Sequence, residues 1–161
     1  MDTSWLLEHS ETTPASAAFV WEYWTDVANW ADPPASFHLE GPFQAGSRGM
    51  TVLPNQEPVH WTLRDVHPYS SYTLISELAD AELVCQWRFS PASDGGTRLT
   101  QRIGVTGKEA AQQAEGVRLA FEATLASGMK RIARLLGEAE ARERRGRPTR
   151  GIWTPPVNED R

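Results

Sequence analysis

Gln101 sits between Leu99 and Ile103 on the same side of an alternating run, so an amide stands where its neighbours are apolar. In an otherwise oily site such a group can orient a small ligand through one donor and one acceptor. The bland alternative is a core amide satisfied by backbone or water. Trp61 and Trp87 fall on inferred inward faces, and indole walls suit flat or lipid-like molecules, although Trp is also an ordinary core residue. Phe121 and Leu125 carry the apolar lining onto the helix that must cover the sheet. Cys85 shares a strand face with Trp87 and has no histidine base identifiable beside it. It therefore reads as a small apolar filler of the wall rather than a nucleophile. The expected ligand-binding set is Trp61, Trp87, Gln101, Cys85, Phe121 and Leu125.

Other chemistry finds less support. No nucleophile elbow or Ser-His-Asp spacing occurs. His9, His38, His60 and His67 lack the close spacing of a zinc site, so no metal is expected. His60 with Arg64, and His38 with Glu40, share strand faces and could move protons at a pocket mouth. Solvated polar faces explain both pairs more simply. The glycines of Gly41 to Gly49 lead into a strand, whereas a phosphate loop opens a helix, so no nucleotide cofactor is implied. Catalytic residues are not assignable, and no cofactor is expected.

These residues need a scaffold, and the sequence supplies one. Ser4 to Glu11 reads as a strand. Thr13 as N-cap and Pro14 in the first turn then announce a helix to about Thr25, with Ala17, Val20, Trp21 and Trp24 on one face. A second short helix fits Asp26 to Trp30, before Pro33 and Pro34. From there six β-type runs follow, near 37–40, 47–53, 59–66, 71–78, 82–90 and 97–106, divided by turn residues. The last hairpin is announced by Gly95-Gly96, a pair tolerant of positive φ. A long helix is expected from Lys108 to about Arg144, its stripe formed by Ala114, Val117, Phe121, Leu125, Gly128, Ile132 and Leu135. Glu138 with Arg142 and Glu140 with Arg144 read as solvated i, i+4 pairs at its end.

The chain of 161 residues, 40% hydrophobic and 9% aromatic, can fill the core of one domain. Domain 1–145 is expected to carry the fold, and 146–161, basic and proline-rich around Trp153, to form a tail. A lone cysteine rules out an internal disulfide framework. Without an 18-residue apolar run or a signal-like start, a cytoplasmic protein with no membrane insertion is expected. The net charge of -5 is uneven: residues 1–129 hold 7 Lys/Arg against 16 Asp/Glu, and 130–161 hold 9 against 5. An acidic body argues against nucleic acid as a partner, because phosphate tracking needs clustered cations. The expected partner is a small hydrophobic molecule, and a homodimer is compatible with the sequence.

Taken in order, strand, two short helices, six-strand meander and C-terminal helix resemble the START-like (SRPBCC) superfamily, the helix-grip fold. Pro14 to Trp21 is similar to that family's Ala-Pro-x-x-x-x-Val-Trp helix start, and Asp26 to Trp30 to its Asp-x-x-x-Trp turn. Gly41 to Gly49 resembles its glycine-containing loop. The resemblance implies an α+β fold: a curved, antiparallel seven-stranded sheet around a long C-terminal helix. It also implies a cavity for a hydrophobic or aromatic metabolite. Two other roles come with it, a polyketide cyclase or dehydratase and a protein-interaction module of the heat-shock ATPase activator type, for which Trp153 in the tail is the only support.

Overall fold

The computed structural model describes residues 2–30 and 32–146; the tail with Trp153 lies outside them. Strand β1 (Ser4–Thr13) is followed by helix α1 (Ala17–Trp24) and a single 3-10 turn (Val27–Trp30). Strands β2 (Ser36–Leu39), β3 (Arg48–Val52), β4 (Val59–His67), β5 (Ser71–Leu78), β6 (Ala81–Pro91) and β7 (Thr97–Thr106) then form a meander. The sheet order is β1-β7-β6-β5-β4-β3-β2, and every pair is antiparallel. Helices α2 (Ala110–Glu122) and α3 (Leu125–Gly146) complete this α+β helix-grip architecture.

Alternation decides which residues face the helices. Along β6 and β7, Trp87, Phe89, Leu99, Ile103 and Val105 are buried, whereas Arg88 and Arg98 are exposed. The inward side chains form two clusters. One joins α1 and α3 to Trp61, Leu63, Tyr72, Trp87, Phe89 and Leu99. The other joins Ile103 and Val105 to Val117 of α2.

Several local expectations are corrected. Thr13 does not cap α1. It is still in β1, paired with Thr97, and its Oγ1 donates to the Ala133 carbonyl at 2.8 Å. The cap is Ser16, whose Oγ accepts from the Phe19 N–H at 3.2 Å. Of the paired glycines, only Gly95 has positive φ, +89°. Gly96 is needed for another reason, since the Thr13 carbonyl occupies the place of its missing Cβ.

The single helix from Lys108 to Arg144 is also corrected, because it is interrupted at Ala123 and Thr124. There the Thr124 N–H turns back three residues to Phe121 O, at 3.1 Å. Beyond the break the most buried positions are Met129, Ala133, Leu136 and Ala139, so the core stripe is turned by one residue from the expected Gly128, Ile132 and Leu135. Ile132 and Leu135 are left beside the cleft described below. Glu140, read from sequence as a solvated charge, is buried; its Oε2 accepts from Ser16 N and Oγ at 3.2 and 3.1 Å while Arg144 stands 3.4 Å away. That carboxylate ties the end of α3 to the start of α1, where the helix dipole favours negative charge.

Candidate functional site

Between the sheet and α3 lies a cleft of about 380 Å³, within the range of small-molecule sites. Its floor is a cross-strand row: Tyr72 on β5 is opposite Trp87 on β6, which is opposite Gln101 on β7. With strands about 4.8 Å apart, Tyr72 and Gln101 flank Trp87 at backbone positions roughly 10 Å from each other. Trp61, Phe37 and Leu74 extend the floor, Trp24 and Trp30 form one side, and Phe121, Ile132 and Leu135 the roof. At the mouth Arg131 on α3 meets Asp32 at 3.5 Å.

The aromatic groups hold one another in place. The Trp30 ring stacks on Tyr72, with centroids 6.3 Å apart and planes 14° apart, and is tilted against Trp61 at 5.6 Å. Trp30 Nε1 donates to Trp24 O at 2.6 Å, Trp24 Nε1 to Tyr72 Oη at 2.9 Å, and Trp61 Nε1 to Thr51 Oγ1 at 3.1 Å. Three indole N–H groups are thus satisfied within the protein, so these rings present π-faces and edges rather than donors. Burial pushes the Tyr72 phenol well above its ordinary value despite the Trp24 bond, which keeps it protonated.

Trp61, Trp87, Gln101 and Phe121 of the sequence-derived set come together in this lining. Cys85 and Leu125 stand outside it. Cys85 is opposite Ile103 in the cluster beneath α2, and burial pushes its thiol up to about 12, far from a reactive thiolate. Leu125 opens α3 and packs against both core clusters. Tyr72, Trp24 and Trp30 were missed. Tyr72 was reachable from sequence, since carrying the register of the β5–β6 hairpin back from its turn places it opposite Trp87.

One residue further along the row, Gln101 is opposite His9 of β1. His9 Nε2 donates to Glu11 Oε2 at 2.6 Å, and Lys130 Nζ reaches the same oxygen at 3.0 Å. The His9 hydrogen bond, followed by Lys130, holds the Glu11 carboxyl below its ordinary 4.5, against an opposing desolvation. A depressed folded pKa stabilises above the unfolded value and loses that contribution as pH falls through the folded one. Glu11→Gln is therefore expected to destabilise at pH 7, with the deficit shrinking at an acid pH below the ordinary 4.5. Urea unfolding of both proteins at the two pH values checks this, and a constant deficit would point to packing instead of charge.

The opposite face of the sheet carries a wider groove, about 800 Å³, bordered by His38, Glu40, Arg48, His60 and Glu77. Both histidine pairs considered from sequence belong to that side. His38 Nε2 is 3.2 Å from Ser36 Oγ, and Arg64 lies 3.9 Å from Glu82 with both side chains substantially exposed. The smaller cleft is the better candidate site, because it is lined by buried aromatic faces with a few convergent polar groups. No described helix is long and apolar enough to cross a membrane.

A grip of sheet on helix around such a cleft defines a START-like (SRPBCC) protein. The model of the family described as polyketide cyclase / dehydrase and lipid transport matches residues 4–137, and the chain belongs to that family. Among curated proteins no sequence matches significantly. Solved structures share the fold at low identity. A Thalictrum norcoclaurine synthase point mutant in complex with a transition-state analogue superposes with TM-score 0.64 at 14% identity, over 87% of this chain and 99% of that one. A Staphylococcus aureus protein of unknown function gives 0.66 at 12% identity, over 88% and 98%. The di-domain ARO/CYC StfQ of the steffimycin biosynthetic pathway gives 0.62 at 16% identity, over 84% of this chain and 51% of that one.

Proposed function

We propose that this protein binds a small hydrophobic or aromatic metabolite in the cleft between sheet and α3. The observation that carries the reading is the aromatic enclosure itself: Trp24, Trp30, Trp61, Tyr72 and Trp87 meet around a space of about 380 Å³. An ordinary core would fill that volume, since interiors pack to crystal density. A flat guest gains from the offset and edge-on ring contacts these side chains already make with one another.

Thermal shift and native mass spectrometry against a panel of aromatic and fatty metabolites test the reading. A ligand at a hundred times its Kd adds about 2.7 kcal/mol of stability. In a domain of this size that raises Tm by about 5 to 10 °C. No shift and no adduct across the panel would sink the proposal. Gln101→Leu should weaken a polar-headed ligand by about three- to tenfold while leaving folding nearly intact, because its apolar neighbours accept leucine. Unchanged affinity would return Gln101 to the core.

A second reading is catalytic: the cleft folds a poly-β-ketone chain and promotes its cyclisation or dehydration by proximity. The family's description and the likeness to the ARO/CYC protein StfQ support it. Product formed from such a chain by the wild type, and lost on blocking the cleft, separates a cyclase from a carrier.

A further inference from the structure

The floor of the cleft contains a buried donor that donates to none of the described residues. Tyr72 is 1% exposed, and its oxygen accepts from Trp24 Nε1 at 2.9 Å. That bond occupies a lone pair and leaves the phenol's own hydrogen unused. Among the described residues none accepts from it, and a buried donor left unmade carries a desolvation cost. Tyr72 borders the cleft, and its ring packs against Trp30 and Trp87, at centroid distances of 6.3 and 6.4 Å. Trp24 is positioned in turn by the Trp30 bond to its carbonyl. The hydroxyl is therefore pre-oriented, with its hydrogen directed away from Trp24.

We propose that Tyr72 is the specificity-determining donor of this cleft, and that the ligand class is a ring-bearing ketone or related neutral carbonyl compound whose oxygen accepts from the Tyr72 hydroxyl. The proposal rests on the ligand-binding reading above. A carbonyl oxygen suits the site because it accepts without bringing a further buried donor. A carboxylate suits it less, because among the described residues no buried cation faces Tyr72, and an unpaired charge resists desolvation. Among the cleft's charged groups, Arg131 and Asp32 are at the mouth, already paired with each other. The raised phenol pKa agrees, since a protonated phenol donates at every physiological pH.

The test uses two near-isosteric probes, 2-acetylnaphthalene and 2-ethylnaphthalene, titrated by calorimetry into wild type and Tyr72→Phe. The ratio of ketone to hydrocarbon affinity is expected to fall about tenfold in Tyr72→Phe. An equal ratio in the two proteins, with both probes bound, overturns the role of Tyr72 and leaves the cleft's ligand-binding function standing. Failure of the wild type to bind either probe counts against both.

Tyr72→Phe also removes the acceptor for Trp24 Nε1, so a readout on the wild type stands beside it. The infrared band of carbonyl-labelled 2-acetylnaphthalene is expected to shift to lower frequency on binding, relative to the same ketone in hexane. A bound band at the hexane position means no hydrogen bond to the carbonyl, and overturns the inference without any substitution.

Discussion

Gly96→Ala is expected to lower the free energy of unfolding by about 3 kcal/mol, near the top of the usual range for overpacking. A Cβ at Gly96 would overlap the Thr13 carbonyl oxygen and press on Pro14 Cα, both backbone atoms. Neither can move freely. Thr13 is paired with Thr97 and bonded to Ala133, and the Thr97 hydroxyl donates to Ala15 O at 2.8 Å. The neighbouring Gly95 provides the control. Its φ of +89° strains a side chain, but nothing lies within 4 Å, so Gly95→Ala should cost only about 1 kcal/mol. Thermal unfolding separates the two, because 3 kcal/mol corresponds to a drop of about 6 to 12 °C in a domain of this length. Equal effects at Gly95 and Gly96 would show that turn conformation, rather than the close approach to Thr13, governs the site.

Gly49→Ala should disable the cleft. Gly49 is opposite Trp61 across β3 and β4, and the six-membered ring of that indole occupies the space a Cβ would need. The ring has little freedom to yield: Trp61 is 5% exposed, bonded to Thr51 Oγ1 and packed on Trp30. Displacing it breaks the Thr51 bond and disturbs the Trp30 contact. The expected cost is about 2 kcal/mol of stability. Aromatic ligands identified by the panel should bind at least tenfold more weakly, as the loss of one well-placed ring contact and some shape complementarity implies. Calorimetry gives the affinity and urea unfolding the stability. Full affinity in a destabilised Gly49→Ala would remove Trp61 from the binding wall.

Much of this scaffold is legible in the sequence because it obeys short-range rules. Alternation sorted Trp87 and Phe89 from Arg88 correctly, and the i, i+3, i+4 spacing found the buried Val20, Trp21 and Trp24. Most of what failed depends on a partner far away in sequence. Thr13 looks like a cap until Ala133 claims its hydroxyl 120 residues later. Glu140 looks solvated until Ser16 is folded beneath it. The interruption at Thr124 leaves no mark on the apolar period, since Phe121, Leu125 and Ile132 keep helical spacing across it.

The site shows the same division. Parity along a strand tells which face a residue occupies, and so Trp61, Trp87 and Gln101 could be placed together. Parity does not tell how far along the sheet the cleft extends. Cys85 is on the correct face and lies under α2, away from the opening. Tyr72 and Trp30 required the register of another hairpin and the docking of the 3-10 turn, which a single sequence states only indirectly.

The break between α2 and α3 has a mechanical side. Phe121 belongs to one rod, and Ile132 and Leu135 to the other, so the roof is two rods joined at Ala123 and Thr124 rather than one beam. The second rod is pinned at Ser16 and Thr13, and the first rests on β6, β7 and β1. A change in the angle between them would alter the headroom above Trp87 while the aromatic floor stays still. On the ligand-binding proposal, a thicker guest would then be met by rotation about a few peptide units rather than by the repacking of a core.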